Sequence, residues 1–251
     1  MNEFINSSNF NSGGSNSDGI NSDVDRPNQL GRLIQPNDVG DINAPRWVRR
    51  KSARPSEILQ AALDLFVERG YANTRAEDVA KKAGVSKGTV YLYFTDKESL
   101  FKAVIRENIV PLIAQFKTQT VESKETSEAL VRQFFESWWL LFGATKLSGL
   151  CKLIMSEAGN FPEVARFFHA EVIQPTHDLL IYLLQRGANA QEFRSVAVKP
   201  FAHLMISPLV MQAISAHSLW LCCPQEDLMN PEEMIAIHVD NILRSLRKES
   251  V

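Results

Sequence analysis

Cysteine is scarce in this chain: Cys151 and the adjacent pair Cys222 and Cys223 are the only three in 251 residues. Three thiols build no disulfide framework, and neighbouring cysteines seldom bridge each other because the ring is strained. A reducing, cytoplasmic setting is therefore expected. No apolar run reads as reaching the roughly 18–20 residues that span a bilayer. The amino terminus lacks the basic start, apolar stretch and small-residue cleavage site of a secretory signal, so no membrane partner is expected. Neither GxxxxGK[ST] nor GxGxxG occurs, which leaves no phosphate-cradling glycine loop. His169, His177, His203, His217 and His238 form no HExxH or similar cluster, so neither a metal site nor a cofactor is expected. No catalytic constellation is visible, and an α-helical enzyme lacks candidate residues. Charge of one sign is also missing overall, since the net value is only −2.

What is present is a chain that is 45% apolar, enough to bury cores for two domains. Residues 1–45 are made of other material: twenty of them are Asn, Ser or Gly. Such a segment buries too little surface to offset its ordering entropy and is expected to be a disordered tail. An over-long start explains it better than a regulatory tail does. Charge is distributed unevenly. Residues 46–102 carry twelve Lys or Arg against seven Asp or Glu, an excess of +5, whereas residues 103–251 carry thirteen against sixteen, or −3. Arg46, Arg49, Arg50, Lys51 and Arg54 cluster as a basic arm just ahead of the first helical pattern. That arm is expected either to reach a nucleic-acid backbone or minor groove or to be a solvated linker.

The basic region also holds the most specific pattern. From Pro55, suited to a first helical turn, Ile58, Leu59, Ala62, Leu65 and Phe66 recur at helical spacing, and Gly70 stops the helix. Thr74 followed by Glu77 reads as a capping box opening a helix that buries Ala76, Val79, Ala80 and Ala83. Gly84 supplies a left-handed stop and Ser86 caps the next helix. At about 100° per residue, Val90 and Phe94 fall inward, while Gly88, Thr89, Leu92 and Tyr93 fall outward. Thr95 and Glu98 read as a second capping box. Helix, turn and helix from Arg75 to Phe94 thus present a polar, glycine-bearing face of the kind that enters a major groove.

The run from about Pro55 to Ile105 resembles the DNA-binding domain of the tetracycline-repressor (TetR) family of transcriptional regulators. The resemblance rests on Gly70-Tyr71, the Thr74 cap, Ala83 to Tyr91, Tyr93-Phe94 and Asp96 to Leu100. It covers about fifty of the 251 residues. It implies that Lys87, Gly88, Thr89, Tyr91, Tyr93 and Lys97 touch double-stranded DNA. On chemistry, Lys87 suits guanine O6 and N7 or a phosphate, Leu92 suits a thymine methyl group, and the hydroxyls suit phosphate oxygens. With Thr74, these residues form the expected DNA-binding set.

Beyond Ile105 the pattern is helical throughout, so the expected fold is all-α. A basic arm and helix-turn-helix domain at 46–105 precede a helical ligand-binding and dimerisation domain at 106–251. The runs 151–172 and 183–194 resemble the AefR-like and multidrug-efflux subgroup of the same family. This implies a homodimer joined by a four-helix bundle, with the long helices placed at about 164–186 and 198–221. Phe134, Phe135, Trp138, Trp139, Phe142, Met155, Phe167 and Phe168 are the candidate lining of a pocket for a small apolar effector; plain core is the alternative for each. The expected function is a ligand-released repressor on a palindromic operator. An activator of the same fold, or an all-α protein-interaction module, remains open.

Overall fold

The computed structural model describes residues 46–223 and 229–248, with the backbone alone described for Arg46–Arg54. The tail at 1–45 and the side chains of the basic arm lie outside the described residues. Among the described residues the fold is all-α. In chain order the helices are α1 (Arg46–Arg69), α2 (Ala76–Lys82), α3 (Lys87–Tyr93), α4 (Lys97–Asn108), α5 (Val110–Glu122), α6 (Ser127–Trp138), α7 (Gly149–Glu157), α8 (Pro162–Phe168), α9 (Gln174–Asn189), α10 (Val198–Ala216) and α11 (Pro231–Leu246). A π-helical turn, Trp139–Gly143, extends α6, and another, His169–Ile173, joins α8 to α9.

Two expectations about helix starts are corrected. Helix α1 begins at Arg46, so Pro55 lies inside it rather than in its first turn. Thr95 and Glu98 do not cap α4. Asp96 accepts from the Ser99 amide at 2.6 Å while Ser99 Oγ accepts from the Asp96 amide at 3.1 Å, a capping box displaced by one residue. Local chemistry holds elsewhere. Gly70 and Gly84 take left-handed φ values of +83° and +66°, and Ser86 Oγ accepts from the Thr89 amide. Asn230 caps α11, with Pro231 in its first turn. Pro175 removes an amide donor and crowds the carbonyl four residues back. The π-helical turn before it absorbs that mismatch, so helix runs on from α8 into α9.

Apolar side chains gather in two cores. The first joins α1 to α4 with α7 and α8 through Phe66, Phe101, Leu100, Ile105 and Leu150. The second joins α6, α9, α10 and α11 through Phe135, Leu180, Leu183, Met205 and Leu209. Trp138 and Val210 pack against both. The division expected at residue 105 falls inside α4, where Ile105 is fully buried. Helix α10 with its continuation, Val198–Cys222, is long and apolar enough to cross a membrane by length and composition, with a mean hydropathy of 1.3. That corrects the expectation that no run approaches such a length. The buried side of this helix belongs to the second core, and it also buries Gln212 and Ser215, as a core helix does.

Within the first core, α1 and α7 approach closely where Gly149, at the start of α7, lies under Val67. A Cβ added there would stand 2.5 Å from Val67 Cγ1. Gly149→Ala is expected to cost about 1–3 kcal/mol of stability by overpacking. Urea denaturation would read this as a lower midpoint, and an unchanged midpoint would show that Val67 turns aside freely.

Candidate nucleic-acid interface

Helix α3 is held by its inward side and shows the other. Val90 is buried and Phe94, its C-cap, is half-buried, both against the first core. On the open side Leu92 is 76% exposed, Tyr91 44% and Tyr93 37%, with Gly88 also exposed. An apolar side chain as open as Leu92, flanked by two tyrosine hydroxyls, has no packing explanation within the described residues. Thr89 is half-buried, and its Oγ1 lies 2.8 Å from Ser86 Oγ at the amino end of α3.

Lys87 opens the helix and is exposed, but it is not idle. Its ammonium pairs with the Glu77 carboxylate across the helix-turn-helix and lies 5.7 Å from the Tyr91 ring centre. The hydrogen bond to Glu77 and its charge hold the Lys87 pKa above the usual value, and the bond to Lys87 holds the Glu77 carboxyl below its own. Both groups stay in solvent, so the pair orients Lys87 more than it stabilises the fold. Glu77 thereby acquires a role that its expected capping function did not foresee.

Thr74 and Lys97 need correction. Thr74 is 1% exposed, and its hydroxyl donates to the Leu65 carbonyl at 3.2 Å and the Gly70 carbonyl at 2.8 Å. Its side chain is a joint between α1 and α2, and the N-cap of α2 is Arg75. Lys97 turns inward. Its ammonium donates to the Tyr71 carbonyl at 2.8 Å and the Ala72 carbonyl at 3.1 Å, and it lies 4.5 Å from the Tyr71 ring centre. Burial lowers its pKa, with Glu157 acting in the opposite direction. At most one of its three N–H groups is left for a phosphate.

Sequence reasoning missed Glu157. From the end of α7 its carboxylate accepts from the Ala72 amide at 3.1 Å, 85 residues away in the chain. Phe161, just beyond, meets the Tyr71 ring edge-on at 4.8 Å. The turn Gly70–Ala72 is therefore held by Lys97, Glu157 and Phe161 together, with the Lys97 ammonium 5.7 Å from the Phe161 ring centre. Burial, reinforced by Glu98, Glu163 and Asp96, pushes the Tyr71 phenol up to about 12, so it stays neutral.

Of the expected pocket residues, Trp138, Phe142, Met155 and Phe168 line a cavity of about 320 Å³ among α6, α7, α9 and α10. Phe134 faces instead a small void of about 40 Å³. Phe135 is fully buried, edge-on to Phe134 and His238. Trp139 packs against the second core. Phe167 lies under Lys102 and Arg106, at 5.4 and 5.0 Å. Phe135, Trp139 and Phe167 thus serve packing, not the cavity. The lining that sequence reasoning missed includes Cys151 and Ile154 from α7, Val172 and Ile173 from the second π-helical turn, and a polar group from α9 and α10: Thr176, His177, His203 and Ser207.

With this geometry in view, comparison with known proteins places the head. Residues 58–104 match the family model described as bacterial regulatory proteins, tetR family. Over these residues the chain is similar to the helix-turn-helix head of that family. The HTH-type transcriptional regulator RutR of Escherichia coli (strain K12) is 44% identical over 69 residues, which is 28% of this chain and 32% of that protein. The fatty acid metabolism regulator protein of Bacillus subtilis (strain 168) is 27% identical over 111 residues, or 44% of this chain and 57% of its own. The HTH-type transcriptional repressor KstR2 of Rhodococcus jostii (strain RHA1) is 34% identical over 35% of this chain and 44% of its own. The chain therefore spans about half or less of the length of these curated relatives. Likeness to solved structures extends past the TetR-type head. FadR from Bacillus subtilis in complex with stearoyl-CoA superposes with a TM-score of 0.61 at 16% identity, covering 76% of this chain and 99% of that one. The fatty acid degradation regulator FadR from Bacillus halodurans does so with 0.58 at 22%, covering 76% and 94%. At such identities the likeness establishes a shared helical fold.

Because Glu77 occupies Lys87, Glu77→Gln frees that ammonium and removes a negative charge beside it, and is expected to tighten any binding to duplex DNA by roughly three- to tenfold at low salt, with the gain shrinking as salt screens it. Fluorescence anisotropy across a salt series measures this. Unchanged affinity would show that the pair opens without cost.

Proposed function

We propose that the chain is a homodimeric transcriptional repressor that reads a palindromic operator through α3 and leaves it when a small molecule fills the cavity. The outward face of α3 carries this reading: Tyr91, Leu92 and Tyr93 are exposed beside Gly88 and Lys87, and the motif matches a family of regulators. In this reading Lys87 and Leu92 contact base edges, while Thr89, Tyr91 and Tyr93 bind phosphate oxygens. Thr74 serves only to hold α1 on α2, and Lys97 supplies one N–H to a phosphate. Residues 46–105 act as the reading head and 106–251 as the sensing and pairing body. The runs 151–172 and 183–194 favour the AefR-like and multidrug-efflux subgroup. A cytoplasmic setting suits the unpaired thiols of Cys151, Cys222 and Cys223.

Pairing is assigned to α9 and α10. Leu204 is 66% exposed and Met211 60%, and Tyr182 is also open, while the opposite side of α10 is filled by the core. An apolar helix with both sides occupied is what a stable homodimer requires. Two heads related by a two-fold would then meet half-sites about 34–36 Å apart or a multiple of that.

Release runs through α7. Cys151, Ile154 and Met155 of this helix line the cavity, and its last residue, Glu157, holds the Gly70–Ala72 turn of the head. A ligand that favours a shifted α7 therefore favours a shifted head, to the extent of its differential affinity for the two arrangements. An activator is the second reading, supported by FasR of Mycolicibacterium smegmatis, named an HTH-type transcriptional activator and 33% identical over 89 residues. The position of the operator relative to the promoter decides between them.

Selection from random duplex DNA is expected to return a palindrome, with affinity falling by orders of magnitude from roughly 50 to 200 mM salt. A non-palindromic or empty selection would sink the reading. Leu204→Arg is expected to give monomers by sedimentation and to lose operator binding. Glu157→Ala is expected to keep operator binding while making it insensitive to effector.

A further inference from the structure

The cavity has one polar end. Its lining residues include no Lys, Arg, Asp or Glu, and its polar side chains come together from two helices: Thr176 and His177 on α9, His203 and Ser207 on α10. The two imidazole rings lie 5.5 Å apart, centre to centre, tilted by 58°. The hydroxyls are already oriented. Thr176 Oγ1 donates to the Val172 carbonyl at 2.7 Å, and Ser207 Oγ donates to the His203 carbonyl at 2.6 Å. With their hydrogens committed to the helix, these oxygens offer lone pairs to a ligand. A neutral imidazole offers one N–H and one acceptor nitrogen.

We propose that this cavity takes a neutral, hydroxyl-bearing apolar molecule, such as an alkylphenol or a fatty alcohol, with its hydroxyl between His177 and His203. The hydroxyl donates to one imidazole nitrogen and accepts from the N–H of the other, while Trp138, Phe168, Ile206 and Val210 surround the apolar body. A carboxylate or phosphate is disfavoured there because the lining offers no fixed cation to pair with it. The same argument sets this cavity apart from one built for an acyl-CoA headgroup.

The charge environment of His177 agrees. Burial, then His203 from α10 and His169 from the π-helical turn, lower its pKa; Asp178, on α9 itself, acts in the opposite direction. At neutral pH the ring is uncharged and can accept. As pH falls through that lowered pKa the ring gains a proton and loses its acceptor, so a hydroxyl ligand is bound less tightly in acid. A carboxylate ligand would show the opposite sign, gaining from the imidazolium.

The inference deepens the effector reading and rests on it only for the effect on DNA. The test is titration calorimetry of the full chain, without DNA, with para-butylphenol, butylbenzene and para-butylbenzoate at about pH 7.5 and about pH 5.5. Near neutrality the phenol is expected to bind about tenfold more tightly than the hydrocarbon and to weaken severalfold in acid. The benzoate is expected to be weakest near neutrality. His203→Phe should erase the advantage of the phenol and leave the hydrocarbon unchanged. Equal affinity for phenol and hydrocarbon, or preference for the benzoate near neutrality, overturns the inference. The comparison of the three probes on the unmodified protein decides it even if the variant does not fold. Phenol binding that leaves operator affinity untouched would support this site and overturn the ligand-release reading alone.

Discussion

The grip on the Gly70–Ala72 turn is the contact on which both halves of the molecule depend. Gly70 takes its left-handed φ, which presents two carbonyls to Lys97 and one amide to Glu157. Tyr71 fills the space between, stacked on Phe66 and edge-on to Phe101 and Phe161. Backbone groups of the turn are bonded by two oppositely charged side chains, Lys97 from α4 and Glu157 from α7. Thr74, two residues beyond the turn, ties the start of α2 back to α1.

The cavity occupies the seam between the two cores. Trp138 and Val210 belong to that seam and line the cavity. A void at a seam costs less than one inside a core, because packing on either side is already complete without it. It is also where occupation has mechanical consequence, since α7 belongs to the first core and α10 largely to the second. The cavity and the three-helix head are thus joined by ordinary side-chain packing, with α7 the element that touches both.

Legibility in the amino-acid sequence followed the distance over which each interaction acts. The Ser86 cap and the Gly70 and Gly84 stops were readable because the groups involved lie within a few residues. So was the outward face of α3, since helical periodicity alone separates Val90 from Leu92. Thr74 misled because a hydroxyl near a helix start has two local uses, and its inward bond to Gly70 won over capping. Pro55 misled similarly: proline suits a first turn, yet α1 carries it in its interior. Lys97 and Glu157 were out of reach because their partners lie 26 and 85 residues away. Phe134 and Phe135 show the limit of composition. Both are buried aromatics on α6, and only the placement of α9 and α11 directs one to a small void and the other to solid core.

The two π-helical turns carry a consequence for how such a receptor diversifies. Each accommodates one residue more than an ordinary turn, and each places side chains in the cavity wall: Phe142 from one, Val172 and Ile173 from the other. Losing a single codon in either stretch would remove that extra residue and restore regular winding, changing which side chains the turn presents to the cavity while the flanking helices keep their facing. Guest preference in this architecture is therefore open to revision by length changes of one residue as well as by substitution, while the reading head stays as it is.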